Sequence, residues 1–170
     1  TGAIRDANDL IRLAALGNRL WHSDASFRAV PAKYSMLSAR TIPGAGGNTE
    51  FADMRAAYDT LDDDLKTLIA DLICEHSNAY SREKIGVPLA SYDEGQQVKL
   101  NPVRQRLVRH DARTGRNSLY LSAHIGTIIG WPMPEARMLI RELTEHATQR
   151  RFVFAHVRSE EHTSELQSPC

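Results

Sequence analysis

An imidazole and a carboxylate lie two positions apart in this chain, at His22 and Asp24. If the backbone between them is an extended strand, side chains at positions i and i+2 share one face, so we expect the two groups to converge. Two histidines and one carboxylate on one face of Fe(II) leave open positions for a bidentate keto acid and O₂. The pair could supply two of those three ligands, although His-x-Asp alone is a weak signal because it arises readily by chance.

Five ordered blocks of sequence give this pair a context. They are residues 18–27, 31–40, 46–58, 114–121 and 142–148. Together they resemble the central segment of the Fe(II)/2-oxoglutarate-dependent dioxygenases of the taurine dioxygenase and 2,4-dichlorophenoxyacetate dioxygenase family, and most closely the 2,4-dichlorophenoxyacetate branch. The resemblance covers about residues 1–157, a little over half of a full family member. Five blocks in the right order are far more specific than His-x-Asp by itself.

The resemblance implies roles for particular residues. His22 and Asp24 match the first two iron ligands of the family. Thr49 matches the threonine that hydrogen-bonds a carboxylate of bound 2-oxoglutarate, and Asn18 and Ser26 fall where family members contact the substrate. A strand hydroxyl with a local partner is the alternative for Thr49, and a turn residue or cap is the alternative for Asn18 and Ser26.

The same resemblance implies an activity. Fe(II) would be the cofactor, with 2-oxoglutarate and O₂ as co-substrates. The reaction would hydroxylate a small-molecule organic acid, a phenoxyacetate-type ether, with release of succinate and CO₂. Two alternatives remain open: a taurine or alkylsulfonate dioxygenase of the same family, and a non-catalytic cupin-like module in which His-x-Asp is vestigial.

The resemblance places the third iron ligand outside this chain. The distal histidine of the family, and the arginine that pairs with the far carboxylate of 2-oxoglutarate, follow the strand that ends at Val157. Five other histidines are interpreted as surface or core residues instead: His76, His110, His124, His146 and His156. We therefore expect the 170-residue chain to be an inactive fragment of a full-length enzyme.

The elements that must position these residues are mostly short strands. Strands are predicted at residues 34–42, 48–51, 103–108, 118–122 and 152–157, and the first of them is predicted to be buried. Turns are predicted at residues 43–47, which are rich in glycine, and at residues 111–115. Short strands with inserted helices indicate a mainly β domain of the double-stranded β-helix kind, a jelly-roll or cupin-like fold, here truncated at both ends.

Two helices and one long loop complete the prediction. Apolar residues at helical spacing predict a helix from Asp62 onward: Leu65, Leu68, Ile69, Leu72 and Ile73. Pro134 opens a second helix that turns Leu139, Ile140 and Leu143 inward. Residues 78–102 are polar and contain several glycines and prolines, which predicts a long loop or lid.

Charge and composition exclude some classes of partner. Lys plus Arg and Asp plus Glu number 21 each, so the chain offers no net field to hold nucleic acid or an anionic membrane surface. No apolar run approaches the roughly 20 residues of a membrane helix. We expect a cytoplasmic protein, and a homo-oligomer remains possible. Cys74 is interpreted as a small core residue within the first predicted helix.

The C-terminal residues lack the periodic pattern of the preceding sequence. Residues 158–170 are polar and show no helical or strand periodicity, and residues 158–168 resemble the conceptual translation of a common sequencing-adapter oligonucleotide. We therefore expect residues 1–157 to be the central part of a dioxygenase domain and residues 158–170 not to be native.

Overall fold

Short helices and short strands alternate through the parts of the chain that the computed structural model describes, which are residues 6, 9–38, 46–87, 100–157 and 163–167. The helices in these ranges are α1 (Leu10–Gly17), α2 (Met54–Asp59), α3 (Asp63–Ile69), α4 (Asn78–Lys84) and α5 (Met133–Ala147). Within the described ranges, none of these helices combines the length and the apolar composition that crossing a membrane requires.

The strands pair mainly over long distances in sequence. They are β1 (Tyr34–Ser38), β2 (Thr49–Ala52), β3 (Ile73–His76), β4 (Val103–Arg106), β5 (Val108–Asp111), β6 (Arg116–Leu119), β7 (Ile125–Ile128), β8 (Val153–His156) and β9 (Thr163–Gln167). All the pairs are antiparallel: β1 with β9, β2 with β8, β5 with β6, and β3 between β4 and β7. The predicted combination of strands with inserted helices is therefore confirmed.

Helix α5 covers the core as its sequence predicts. Pro134 lies in the first turn of α5, where a missing backbone N–H costs nothing. Leu139, Ile140 and Leu143 are buried in one apolar cluster with residues of β6 and β7. Each fully buried side chain of this size contributes roughly 1.5–3 kcal/mol through the hydrophobic effect. The apolar face of α5 thus fixes one wall of the domain.

Helix α3 is shorter than its apolar spacing predicts. It ends at Ile69, the chain turns, and Ile73 begins strand β3. The prediction of a helix through Ile73 was therefore wrong, and Cys74 lies in a strand rather than a helix, although it is fully buried as expected. Strand β3 pairs with a neighbour on each side, so the backbone N–H and C=O groups that point to either side have partners. Pairing with two strands therefore stabilises the residues of β3 more than one further turn of helix would.

The predicted loop at residues 78–102 begins with a helix. Helix α4 occupies Asn78–Lys84, and the Ser77 side chain caps it by accepting a hydrogen bond from the backbone N–H of Ala79. The prediction of a loop was therefore wrong for this first part, and the cap was the sequence signal for it. Residues 88–99 lie outside the described residues.

Strand β1 is exposed, although a buried strand was predicted at residues 34–42. Met36 is 72% exposed and Tyr34 is 49% exposed. Strand β1 pairs with β9, and residues 39–45 lie outside the described residues. Strand β9 lies in the segment 158–170, for which no strand was predicted, so that part of the prediction was wrong. That residues 158–170 are not native stays a prediction.

A glycine lets α4 pack closely on β7. A Cβ atom at Gly126 would lie 2.3 Å from Cε2 of Tyr80, a distance that real Cβ contacts do not reach. The ring of Tyr80 therefore occupies the space that a side chain at position 126 would need. This contact seats α4 against the sheet of β4, β3 and β7.

We expect Gly126→Ala to destabilise the chain, by about 1–3 kcal/mol, because the added methyl group forces the Tyr80 ring off the sheet. Chemical denaturation would measure the free energy of unfolding. Gly17→Ala is the matched control, since its Cβ would lie an ordinary 3.8 Å from Cδ1 of Ile85. Equal stability of the two variants would contradict the close packing.

Candidate metal centre

His22 and Asp24 converge, but not for the reason that their spacing suggests. Residues 21–23 are irregular and residues 24–27 form a turn, so the expected extended strand was wrong. Ala25 has φ +56°, a left-handed conformation that is uncommon for a residue with a side chain. This turn brings Nε2 of His22 to 3.3 Å from Oδ1 of Asp24. The two donor atoms that a metal ion would need therefore lie side by side.

A backbone carbonyl orients the His22 ring. Nδ1 of His22 lies 2.7 Å from the carbonyl oxygen of Leu20. A carbonyl oxygen can only accept, so Nδ1 carries a proton and donates it, and Nε2 is the nitrogen available to a metal ion. Hydrogen bonds of this kind are typical of metal-binding histidines, because they fix the ring orientation and make the ligand nitrogen more basic.

The electrostatics of the pair suit a cation. The hydrogen bond from His22 lowers the pKa of Asp24 to about 2, so the carboxylate is ionised at neutral pH. The same bond is the largest cause that raises the pKa of His22. A metal ion must displace the proton from Nε2, so metal affinity should fall as pH decreases. One imidazole nitrogen and one carboxylate oxygen form a donor set that fits Fe(II).

The pair opens into a pocket of about 370 Å³. Asn18 lines it just after α1, and the guanidinium-bearing residues Arg28 and Arg82 line it from the turn and from α4. Asp24 is the one acidic residue among the described residues that line the pocket. The pocket therefore carries more positive than negative charge even before a metal ion is considered, which favours an anionic ligand.

Helix α4 and the segment before β7 form the opposite wall. Nζ of Lys84 donates to the carbonyl oxygens of Ala123, at 2.8 Å, and Ile125, at 3.3 Å. Oγ of Ser81 lies 2.9 Å from Nδ1 of His124. Burial lowers the pKa of His124 to about 4, so its ring is neutral at pH 7. These contacts hold His124 edge-on to His22, with ring centroids 6.1 Å apart.

The structure separates the predicted site residues into two groups. Asn18 lines the pocket with His22 and Asp24. Thr49 lies on β2 opposite His156 and is not among the described residues that line the pocket. Ser26 is fully buried, and its hydroxyl lies against that of Ser122. The predicted ligand contacts of Thr49, Asn18 and Ser26 stay predictions.

The other histidines lie in different surroundings. His76 is fully buried and stacked on Tyr120, and His110 is exposed and bonded to Asn117. His124 was interpreted as a surface or core residue, and it is indeed buried, yet it lines the pocket. Across the described ranges, no three His, Cys, Asp or Glu residues form a group that could hold a metal ion. The lining roles of His124, Arg28 and Arg82 had no spacing signal in the sequence.

A family model and several known proteins match this chain. The model described as "Taurine catabolism dioxygenase TauD, TfdA family" matches residues 3–160. The alpha-ketoglutarate-dependent 2,4-dichlorophenoxyacetate dioxygenase of Cupriavidus pinatubonensis is 47% identical over 154 residues, which are 91% of this chain and 52% of that protein. The (S)-phenoxypropionate/alpha-ketoglutarate-dioxygenase of Sphingobium herbicidovorans is 37% identical over 155 residues, 89% of this chain and 54% of that protein.

Solved structures of related dioxygenases also superpose on this chain. AAD-2 in complex with Mn(II) and N-oxalylglycine is 51% identical and superposes with a TM-score of 0.85, over 93% of this chain and 58% of that one. A taurine dioxygenase from Burkholderia xenovorans superposes with a TM-score of 0.72 at 22% identity, over 98% of this chain and 51% of that one, which shows a shared fold. The chain thus spans about half the length of the curated relatives it matches.

We expect the chain to bind Mn(II) weakly through His22 and Asp24, and His22→Ala or Asp24→Ala to abolish detectable binding, because each substitution removes one of two candidate ligands. The electron paramagnetic resonance signal of free Mn(II) would report the affinity. His110→Ala, an exposed histidine on β5, is the control. Equal binding by all three variants would show that Mn(II) binds elsewhere.

Proposed function

Because this chain belongs to the taurine catabolism dioxygenase TauD, TfdA family, we propose that its full-length protein is an Fe(II)/2-oxoglutarate-dependent dioxygenase that hydroxylates a small organic acid. The observation that carries this proposal is the convergence of Nε2 of His22 and Oδ1 of Asp24 at a pocket. The relatives named above, which are alpha-ketoglutarate-dependent by name, support it.

His22 and Asp24 would hold the iron, and Fe(II) with 2-oxoglutarate and O₂ would supply oxidation of a substrate C–H bond, with release of succinate and CO₂. The chain's own part is to present both donor atoms on one side and leave the rest of the ion accessible. The carbonyl of Leu20 holds the His22 ring in the orientation that a bound ion would need. Phe27 packs edge-on against His124, at 4.8 Å between ring centroids, and makes that part of the wall apolar.

A phenoxyacetate-type ether is the substrate class that we favour. Arg28 and Arg82 line the same pocket as the candidate ligands, and a guanidinium binds a carboxylate with two parallel hydrogen bonds. The rings of Phe27 and His124 offer an apolar surface beside them, which suits an aryl group. Relatives that are 47% and 37% identical to this chain over the aligned residues are named for 2,4-dichlorophenoxyacetate and for (S)-phenoxypropionate.

The fold belongs to the same proposal. The described strands would be part of a double-stranded β-helix, a jelly roll, whose remaining strands lie outside the 170 residues. The likeness to the solved dioxygenases, each about twice as long as the aligned region, supports this. Thr49 on β2 would then face 2-oxoglutarate, and Asn18 the substrate, in the completed barrel.

We expect the full-length protein, supplied with Fe(II), 2-oxoglutarate and O₂, to form succinate when 2,4-dichlorophenoxyacetate is added, together with the phenol that follows hydroxylation next to the ether oxygen. Taurine should give less, because its small aliphatic chain leaves the ring-lined wall unfilled. Chromatography of both products would measure turnover. If taurine raises succinate formation above the substrate-free level and the phenoxyacetate does not, the preferred substrate class would be a sulfonate.

The 170-residue chain itself should show no substrate-dependent consumption of 2-oxoglutarate. Its described residues bring together two candidate ligands but no third, and a two-ligand site holds iron weakly. The same chromatographic assay, run at the highest soluble concentration with excess Fe(II), tests this expectation. Turnover above the substrate-free level would mean that the chain completes its own metal site.

A further inference from the structure

A buried serine hydroxyl lies beside the turn that carries the two candidate ligands. Oγ of Ser122 accepts a hydrogen bond from the backbone N–H of Ser23 at 3.3 Å and another from the backbone N–H of His124 at 3.3 Å. It also shares a hydrogen bond with the hydroxyl of Ser26 at 3.2 Å. Ser122 and Ser26 are both buried, so bulk water cannot replace these contacts. The hydroxyl oxygen of Ser122 thus connects the turn that carries the candidate ligands with the segment before β7.

Ser23 is the residue between the two candidate ligands. Its N–H belongs to the peptide group that it shares with His22, and this N–H donates to Ser122. Its own hydroxyl donates to the carbonyl oxygen of Leu121 at 2.9 Å. Backbone and side chain of Ser23 are therefore both held by the segment that follows β6. Any rotation of this peptide would change the direction of the His22 and Asp24 side chains.

The turn has little support of its own. Ala25 adopts φ +56°, which costs free energy for a residue with a side chain and persists only where the surroundings impose it. Of the two backbone hydrogen bonds within residues 23–28, the one that spans Asp24, from the N–H of Ser26 to the carbonyl of Ser23, is long at 3.4 Å. The other, from the N–H of Arg28 to the carbonyl of Ala25 at 3.0 Å, does not include His22 or Asp24. Contacts from outside must therefore keep the donor atoms of His22 and Asp24 at 3.3 Å.

A second buried polar side chain holds the other end of the same turn. Nε2 of Gln105, on β4, donates to the carbonyl oxygens of Ser26, at 3.3 Å, and Arg28, at 2.8 Å. Oε1 of Gln105 in turn accepts from Arg109 at 2.9 Å. Two buried side chains, one on β4 and one in the segment that follows β6, thus direct their hydrogen bonds to one short turn. Apolar residues would fill the space at less desolvation cost, so the polar contacts point to a positioning role.

We propose that Ser122 is a positioning residue for the metal centre: its hydroxyl holds Ser23 and Ser26 so that His22 and Asp24 can bind the same ion. The inference rests on the proposed function, because it assumes that His22 and Asp24 bind a metal ion. It adds to that function a residue about 100 positions away in sequence that sets the geometry of the ligands without touching the metal.

The test compares Mn(II) affinity and folding in the full-length protein, because two ligands alone would hold the ion weakly. Ser122→Ala should weaken Mn(II) binding by about 10–100-fold, the usual effect of losing a contact that orients a metal ligand. Ser122→Thr keeps the hydroxyl and should restore most of the affinity. Ser118→Ala is the matched control, because Ser118 is also buried but lies four residues earlier, on β6 opposite Arg109.

A purely structural role would give a different pattern. It would lower the free energy of unfolding in Ser122→Ala and Ser118→Ala alike and leave the Mn(II) affinity of the folded chain unchanged, which would overturn the inference. If Ser122→Ala does not fold, Ser26→Ala removes the shared hydroxyl contact from the other side and should still weaken Mn(II) binding. Mn(II) binding by Ser26→Ala equal to that of the unsubstituted protein would then overturn it. Absence of Mn(II) binding by the unsubstituted full-length protein would refute the metal site, and the inference with it.

Discussion

The geometry of this site depends on the attachment of one irregular turn to a distant segment of the chain. Outside any sheet, residues 21–28 have no ladder of backbone hydrogen bonds to fix their shape. The N–H of Ala123 donates to the carbonyl of Trp21 at 2.9 Å, and the serine contacts continue this attachment. Because each partner lies about 100 residues away in sequence, the two candidate ligands can converge only after the domain has folded.

The opposite wall of the pocket depends on the same sheet. Gly126 allows Tyr80 to seat α4, and Lys84 then bonds the carbonyls on either side of His124. Lys84 is exposed, and the two carbonyl oxygens that its ammonium group contacts attach α4 to the segment around His124. Helix α4, the segment at residues 121–125 and the ligand turn therefore form one connected unit, so a disturbance in any one of them should reach the ligands.

Local signals predicted elements correctly where no tertiary pairing competed with them. Pro134 and the apolar stripe of α5 agree with each other, and the helix forms as expected. The apolar stripe that begins at Leu65 predicts a helix that is too long. Residues from Ile73 onward form a strand instead, because they pair there with two neighbouring strands. For β1 the predicted strand is present, but the predicted burial was wrong. A run of apolar residues predicts a strand, but it does not show whether another layer of the fold covers that strand.

The sequence by itself determined the family, the identity of two candidate ligands and the chemistry that an imidazole and a carboxylate can support, because those follow from residue types in a specific order. Only the tertiary structure decided how His22 and Asp24 meet, since a turn with Ala25 at positive φ replaces the expected strand. It also decided that His124 and two arginines join them in one pocket. Such encounters depend on contacts between distant segments, and no local spacing encodes them.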